Sequence, residues 1–393
     1  MSTRNRIRVD VAIVGGGIAG LWLLNLLRAR GYSAVLIERS AFGDGQTICS
    51  QGMIHGGMKY ALGGALTGAS EAIAAMPARW RSCLDGRGEL DLRGVRILSD
   101  RYYLWSANDS TLGQLTGFLA SSMLRGRVRR LQRDALPTAF DDPQFRGVVY
   151  ELDDLVLDTP SLLRHLADAQ RDFTLCADVN PEHFVRRRDG SLDAIRLPDF
   201  DIAAERYVFA AGAGNEALVR SLTLGVSTQR RPLHQLIVRA PKLPPLYAHC
   251  IERLAGTEPR LTITSHDDAR AQRVWYIGGH IATDGVGRSD AEQADHARIE
   301  LTECLPWIDL TGARFESLRI DRAEPARHGG LRPDEAHVAA SANVLVCWPT
   351  KLALAPDLGD KVLAALSIEP AQPCGGVATD LPRPRVAYSP WDR

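Results

Sequence analysis

The chain has 393 residues, 45% of them apolar, which is enough for one large two-lobed unit or two to three ordinary domains with a sizeable core. Lys plus Arg balance Asp plus Glu at 47 each, and zero net charge argues against a nucleic-acid-binding protein. Seven scattered cysteines (49, 83, 176, 250, 304, 347, 374) show no CxxC and no metal-ligand spacing, which predicts reduced thiols, no metal and a reducing compartment.

The start, MSTRNRIR followed by an apolar run, mimics a signal peptide, but Asp10 and a triple glycine interrupt the run. No stretch of about 18 uncharged apolar residues occurs, so no bilayer span is expected. A cytoplasmic location follows, with peripheral membrane contact on the cytoplasmic face left open. Residues 9–14 read as a short buried strand, 18–30 as a helix and 33–38 as a second strand ending in an acid. A glycine-punctuated stretch follows at 43–68, and a helix is expected near Ser70. Residues 80–150 carry no clear motif; the basic run 125–133 reads as solvated surface. Residues 158–173 read as a helix with Pro160 in its first turn. A very apolar strand at 207–211 feeds a second glycine turn. RRPLHQLIVRAP and RVWYIGGHIA read as strands of an antiparallel sheet. NVLVCW then gives a strand, a loop and a helix starting near Pro356, and the Pro-rich end reads as irregular.

The first strand, helix and second strand form a βαβ unit of about thirty residues, the context a G-x-G-x-x-G turn requires. Gly15, Gly17 and Gly20 fit that pattern, with Gly16 as an extra. One glycine makes the turn, one admits pyrophosphate to the backbone, and one lets helix and strand pack closely. The helix start at Ile18 and Ala19 supplies amide donors and partial positive charge to phosphate. Glu38, with Arg39 beside it, ends the second strand where a carboxylate would accept from adenosine ribose hydroxyls. The unit therefore predicts an adenine dinucleotide.

FAD rather than NAD follows from two later elements. YVFAAGAGNEAL is a second strand ending in glycine, and Ala211, Gly212 and Gly214 resemble the turn that, in one large flavoprotein class, closes over FAD. Val179 stands where proteins of that class, by resemblance, place a backbone contact to adenine. Near the end, Leu352, Ala353 and Leu354 precede a helix start that would stabilise negative charge at the pyrimidine edge of a flavin.

Together VAIVGGGIAG, GQTICSQGMIHGGMKY, RYVFAAGAGN, GGLRPD and TKLALAPDLG, in that order, resemble the D-amino-acid-oxidase-like superfamily of FAD-dependent oxidoreductases. The resemblance looks closest to FAD-dependent glycerol-3-phosphate dehydrogenases and 2-hydroxyglutarate-oxidising relatives. It implies an α/β (α+β), two-lobed fold: a glutathione-reductase-like Rossmann FAD-binding domain with an antiparallel-sheet substrate domain. The FAD-binding domain is expected at 1–78, 151–228 and 326–393, and the substrate domain at 79–150 and 229–325. His55 stands in the IHGG segment, followed by Lys59 and Tyr60; His234 falls at an active-site strand start, Arg332 in a G-x-R-P turn, and Lys351 where relatives carry a flavin-side lysine. Lys59 replaces a family Arg, PTK replaces GGK, and the extra C-terminal helical domain of the glycerol-phosphate enzymes has no counterpart in these 393 residues. GLRP also occurs in glycine-oxidase-like amine oxidases.

A flavin taking a hydride needs a nearby base to remove a proton from the heteroatom, and histidine titrates in the right range. His234 is the first choice and His55 the second. Arg332 suits carboxylate or phosphate, Lys351 a reduced-flavin charge, oxygen activation or a substrate anion, and Lys59 and Tyr60 the same anion. Gln46, Thr47, Ser50 and Gly52 line the loop expected against pyrophosphate and flavin. Non-covalent FAD is expected over attachment through His55 or Cys49. The expected activity is oxidation of a small anionic hydroxy compound, with electrons passing to oxygen or a quinone. An amine or amino-acid oxidase, or a non-catalytic flavin-binding or electron-relay subunit, are the alternatives.

Overall fold

The computed structural model describes residues 4–57, 72–106, 128–251, 258–330, 333–371, 375–377 and 381–393. Strand β1 (Asn5–Val14) feeds helix α1 (Ile18–Ala29) and strand β2 (Ala34–Glu38). Short strands β3 (Ala41–Phe42) and β4 (Met53–Ile54) precede helix α2 (Met76–Leu84). Strands β5 (Ile97–Ser99), β6 (Tyr102–Ser106), β7 (Val128–Arg130), β8 (Val148–Leu152) and β9 (Leu155–Leu157) lead to α3 (Thr159–Ala169). Then come β10 (Thr174–Cys176), β11 (Phe184–Arg186), β12 (Leu192–Arg196), β13 (Phe200–Phe209) and α4 (Asn215–Leu222). Strands β14 (Thr228–Arg239), β15 (Ala248–Cys250), β16 (Leu261–Asp267) and β17 (Arg273–Gly278) are followed by α5 (His280–Asp284), α6 (Asp290–Cys304) and β18 (Arg314–Pro325). The chain closes with β19 (His337–Ser341), β20 (Val344–Trp348), α7 (Ala355–Leu366) and β21 (Arg385–Val386).

These elements build two sheets, as a two-lobed α/β fold requires. In the first, β10, β2, β1, β13 and β20 run parallel in that order, with antiparallel β12, β11 and β19 attached at the β13 side. Parallel strands are covered on both faces, so they read as continuous apolar runs. Helix α1 shows why it lies inside: residues 18–27 are all buried, including Trp22 and five leucines. Each such large apolar side chain contributes about 1.5–3 kcal/mol by leaving water. The two polar intruders are satisfied. Asn25 Nδ2 donates to the Leu166 carbonyl on α3 at 2.9 Å, and Asp10 accepts from the Ser33 and Ala371 amides at 2.8 and 3.1 Å.

The second sheet has the order β18-β14-β17-β16-β15-β6-β8-β7 and is antiparallel except where β15 meets β6. The two-residue period of β14 decides its faces. Leu236 and Val238 join the core covered by Ala297 and Leu301 of α6. Ile237 packs on the opposite face with Tyr276 and Trp391. That opposite face meets the first lobe.

Several sequence expectations shift. β13 begins at Phe200, because it pairs with the full length of β1, from Asn5↔Phe200 to Val14↔Phe209. The helix expected over 158–173 stops at Ala169 and breaks into a 3₁₀ turn at Arg171–Phe173; Asp158 caps its start by accepting from the Ser161 amide. Ser70 lies outside the described residues, and the helix described beyond it is α2. The Pro-rich end is not irregular: β21 pairs in parallel with β3, and Pro390–Asp392 form a 3₁₀ turn. Among the described residues, no helix is long and apolar enough to cross a membrane.

Candidate active site

The glycine turn is a cradle that side chains would fill. Gly15 has φ +109°, and a Cβ there would lie 2.5 Å from Ala211 Cα. A Cβ on Gly20 would lie 1.9 Å from the Gly15 carbonyl oxygen. The turn can therefore form only with glycine, and it sits directly against the second glycine turn. Gly17 caps α1 without any side chain, and the first turn of α1 has no acid. Its amides and dipole suit an anion there. Thr47 Oγ1 accepts from the Ile18 amide at 3.1 Å, tying loop 43–52 to the same helix start. Glu38 accepts from the Gly16 amide at 2.6 Å and the Ser40 amide at 3.0 Å. A carboxylate has about four acceptor positions, so it keeps capacity for two ribose hydroxyls. Arg39 is exposed beside it, and Val179 is half-buried near the same strand ends. This shape fits an adenine dinucleotide.

Buried Asn215 organises the second turn: its Oδ1 accepts from the Ala211 amide at 2.9 Å and its Nδ2 donates to the Cys347 carbonyl at 3.2 Å. Gly212 faces Gln46, whose Oε1 lies 3.5 Å from the position of a Cβ. Gly52 (φ +70°) lets loop 43–52 approach β9, since a Cβ would lie 2.1 Å from the Leu157 carbonyl. Ser50 Oγ lies 3.4 Å from Thr159 Oγ1. Gly15, Gly17, Ile18, Glu38, Thr47, Ala211 and Gly212 are thus brought to one edge of the parallel sheet.

Leu352–Leu354 form a 3₁₀ turn packed against β4 and α2, and Trp80 Nε1 donates to the Ala353 carbonyl at 2.9 Å. Thr350, just before it, holds φ +60°, a costly conformation for a β-branched residue. Such strain persists only where its surroundings over-determine it and gathers at ligand sites. It turns Lys351 inward: the residue is 8% exposed, and its Nζ donates to the Asp334 carbonyl at 3.2 Å. Lys351 thereby points to the start of the segment after Arg332. Arg332, Lys59 and Tyr60 lie outside the described residues.

The two predicted histidines part company. His55 follows β4, buried; its Nδ1 accepts from the Gly57 amide at 3.2 Å, and the Gly56 amide donates to Asp154 at 2.8 Å. His234 is fully buried on the α6 side of β14. Its Nδ1 lies 2.9 Å from the Gly285 carbonyl and its Nε2 3.2 Å from Asp290. The latter approach lacks hydrogen-bond geometry. The next residue, Gln235, lies on the side of β14 that faces the first lobe.

That side carries groups the sequence reading missed. Gln51 Nε2 donates to the Thr262 and Tyr276 carbonyls, both at 3.0 Å, fastening loop 43–52 to the second sheet. The Tyr276 hydroxyl donates to the Cys49 carbonyl at 2.9 Å and lies 2.7 Å from the Gln235 side-chain amide. His249 is buried on the same side, with Nδ1 2.9 Å from Thr262 Oγ1 and its ring 4.6 Å from that of Tyr102. Burial, then the negative charge of Asp154, pushes the Tyr102 phenol well above its ordinary range. Gln51 and His249 are thus both hydrogen-bonded to Thr262, with the Tyr102 ring beside His249 and its hydroxyl on the Ile263 carbonyl. No motif in YAHC marked His249, and Gln51 was not singled out within GQTICSQGMIHGGMKY. Burial pushes the Cys49 thiol up to about 11.

Comparison with known proteins gives this geometry a setting. The family model described as FAD dependent oxidoreductase (DAO) matches residues 10–348. The probable FAD-dependent oxidoreductase PA4991 of Pseudomonas aeruginosa is 50% identical over 390 residues, 98% of each chain. Its crystal structure superposes with a TM-score of 0.84 over 99% of both chains. The glycine oxidase of Geobacillus kaustophilus is 26% identical over 244 residues, 60% of this chain and 62% of its own. The L-alpha-glycerophosphate oxidase of Mycoplasma pneumoniae shares 12% identity at a TM-score of 0.68, covering 94% of this chain and 97% of its own, a likeness of fold alone.

Proposed function

The chain belongs to the FAD-dependent oxidoreductase (DAO) family, and from that premise we propose that it oxidises a small anionic hydroxy compound, a 2-hydroxy acid or a polyol phosphate, passing electrons to oxygen or a quinone. The observation that carries the reading is the pair of buried imidazoles, His55 and His249, on the loop and sheet faces that meet. An alcohol must lose a proton as its C–H bond breaks, and an imidazole is suited to take it near neutral pH.

When bound, FAD supplies the two-electron acceptor. Gly15, Gly17, Ile18, Ala19 and Gly20 would hold its pyrophosphate; Glu38, Arg39 and Val179 its adenosine. Gln46, Thr47, Ser50, Gly52, Ala211 and Gly212 would line its middle, and Leu352, Ala353 and Leu354 its pyrimidine edge. His249, whose Nδ1 lies 2.9 Å from Thr262 Oγ1, is the group that takes the substrate hydroxyl proton. His55 orients the same group. His234 keeps a supporting role through its bond to the Gly285 carbonyl. Arg332, Lys59 and Tyr60 anchor the substrate anion, and Lys351 offsets negative charge beside the site.

Anaerobic mixing with a panel of hydroxy acids, polyol phosphates and amino acids tests this. Bleaching of the visible flavin absorption by hydroxy compounds supports the reading. The likeness to a glycine oxidase favours a second reading, amine oxidation. Bleaching by amines alone would transfer the assignment to it.

A further inference from the structure

Residues 385–393 bind both lobes. On the first lobe, β21 pairs with β3, the Ala387 amide donates to the Phe42 carbonyl at 3.0 Å, and Arg393 pairs with Asp44 at 3.0 Å. On the second, Asp392 accepts from the Ala269 amide at 2.7 Å, and Arg239 donates to the Trp391 carbonyl at 2.7 Å. Between these anchors, the Trp391 ring is driven into the second sheet. It is 6% exposed, stacks on His266 with centroids 4.1 Å apart, and meets Tyr276 edge-on at 5.5 Å.

We infer that Trp391 is a positioning residue for the flavin loop, holding Tyr276 so that its hydroxyl fixes the Cys49 carbonyl. Cys49 sits in the middle of Gln46–Gly52, so this inference rests on that loop meeting the flavin. Its indole ring is packed against protein groups, stacked on His266 and edge-on to Tyr276. Its leverage is geometric. A large aromatic ring packed on two sides of the Tyr276–His266 pair leaves the phenol one position, and the Cys49 carbonyl receives its hydrogen bond there.

The test compares wild type, Trp391→Ala, Trp391→Phe and Tyr276→Phe, each purified with FAD. Hydrogen–deuterium exchange over residues 46–52 and the FAD dissociation constant are read beside thermal unfolding. Trp391→Ala and Tyr276→Phe are expected to speed exchange in 46–52 and weaken FAD binding by about tenfold each, while exchange in α1 stays as in wild type. Trp391→Phe restores most of both, because a ring still fills the slot. A fall in unfolding temperature with exchange and FAD binding unchanged, in both Trp391→Ala and Tyr276→Phe, would overturn the inference. If Trp391→Ala does not fold, Tyr276→Phe decides alone. Wild type that retains no FAD would sink the cofactor reading, and the exchange of 46–52 would still judge the strap.

Discussion

His266 makes a quantitative prediction about acid. Burial, then nearby Arg96, pushes its imidazole down to about 3. Its Nε2 lies 3.0 Å from Thr264 Oγ1, its Nδ1 has no hydrogen-bond partner among the described residues, and its ring meets those of Trp391 and Tyr276. A second proton would put an unpartnered N–H in a dry site, a cost the stacked indole offsets only in part. In the unfolded chain the group titrates near 6.5. Between pH 3 and 6.5 the unfolded state therefore binds more protons than the folded one, so stability rises with pH across that window. The contribution is complete above about pH 6.5 and is lost progressively as pH falls toward 3. Lowering the pH from 7 to 5 should cost about 2 kcal/mol from this residue, at about 1.4 kcal/mol per pH unit below the unfolded value. His266→Phe keeps a ring against Trp391 and removes the titration. Urea unfolding of both proteins at pH 7 and pH 5 gives the difference of differences, in which other titrating groups, including the likewise depressed His337, cancel. An equal loss of stability in wild type and His266→Phe would refute the reasoning.

Gly20→Ala should cost at least about 3 kcal/mol, the upper end of overpacking, since its Cβ would meet the Gly15 carbonyl at 1.9 Å; thermal unfolding and FAD content check it. Glu38→Gln keeps the shape and removes the charge from the acceptor of the Gly16 and Ser40 amides, so FAD reconstitution of the apoprotein should weaken about tenfold. His249→Ala should slow anaerobic flavin reduction by about 10²–10⁴-fold, the usual worth of a general base, whereas His234→Gln should stay within about threefold once folded. Stopped-flow reduction with a saturating substrate distinguishes them, and the opposite order would restore His234 as the base.

The parts of the molecule fixed by backbone geometry were legible in the sequence. Gly15 and Gly20 can be nothing else because their Cβ positions are occupied, and Glu38 ends a strand that must lie beside them. The parallel pairing of the first two strands followed from the βαβ unit around that turn. The side chains that join the lobes were not legible, because their meaning depends on the parity of a strand. In His234–Gln235, one residue faces α6 and the next faces the first lobe, and a one-residue change of register exchanges them. Nothing in PLHQLIV states which; the pairing Leu236↔Ile277 and His234↔Arg319 does. His249 is hidden for the same reason, since its neighbours Ala248 and Cys250 face the other core. The tail was misread because proline density signals irregular chain, whereas here it leaves two residues able to pair with β3.

The junction of the lobes explains why those polar groups are there. Gln51, Tyr276, Thr262 and Thr264 are buried or half-buried, and each must find partners or cost about 1–3 kcal/mol. They find them across the junction, in bonds of fixed direction: Gln51 to two strand carbonyls, Tyr276 to Cys49. An apolar junction would bury a similar area but would set no particular offset between loop and sheet, because hydrophobic contact is non-directional. In the role proposed for it, His249 must lie within hydrogen-bond reach of a substrate oriented by residues of the other lobe, a tolerance under about 1 Å. Directional bonds across the junction supply that tolerance. On this reasoning Gln51→Leu, which fills the same space, should leave the unfolding temperature within a few degrees yet lower kcat more than it raises KM.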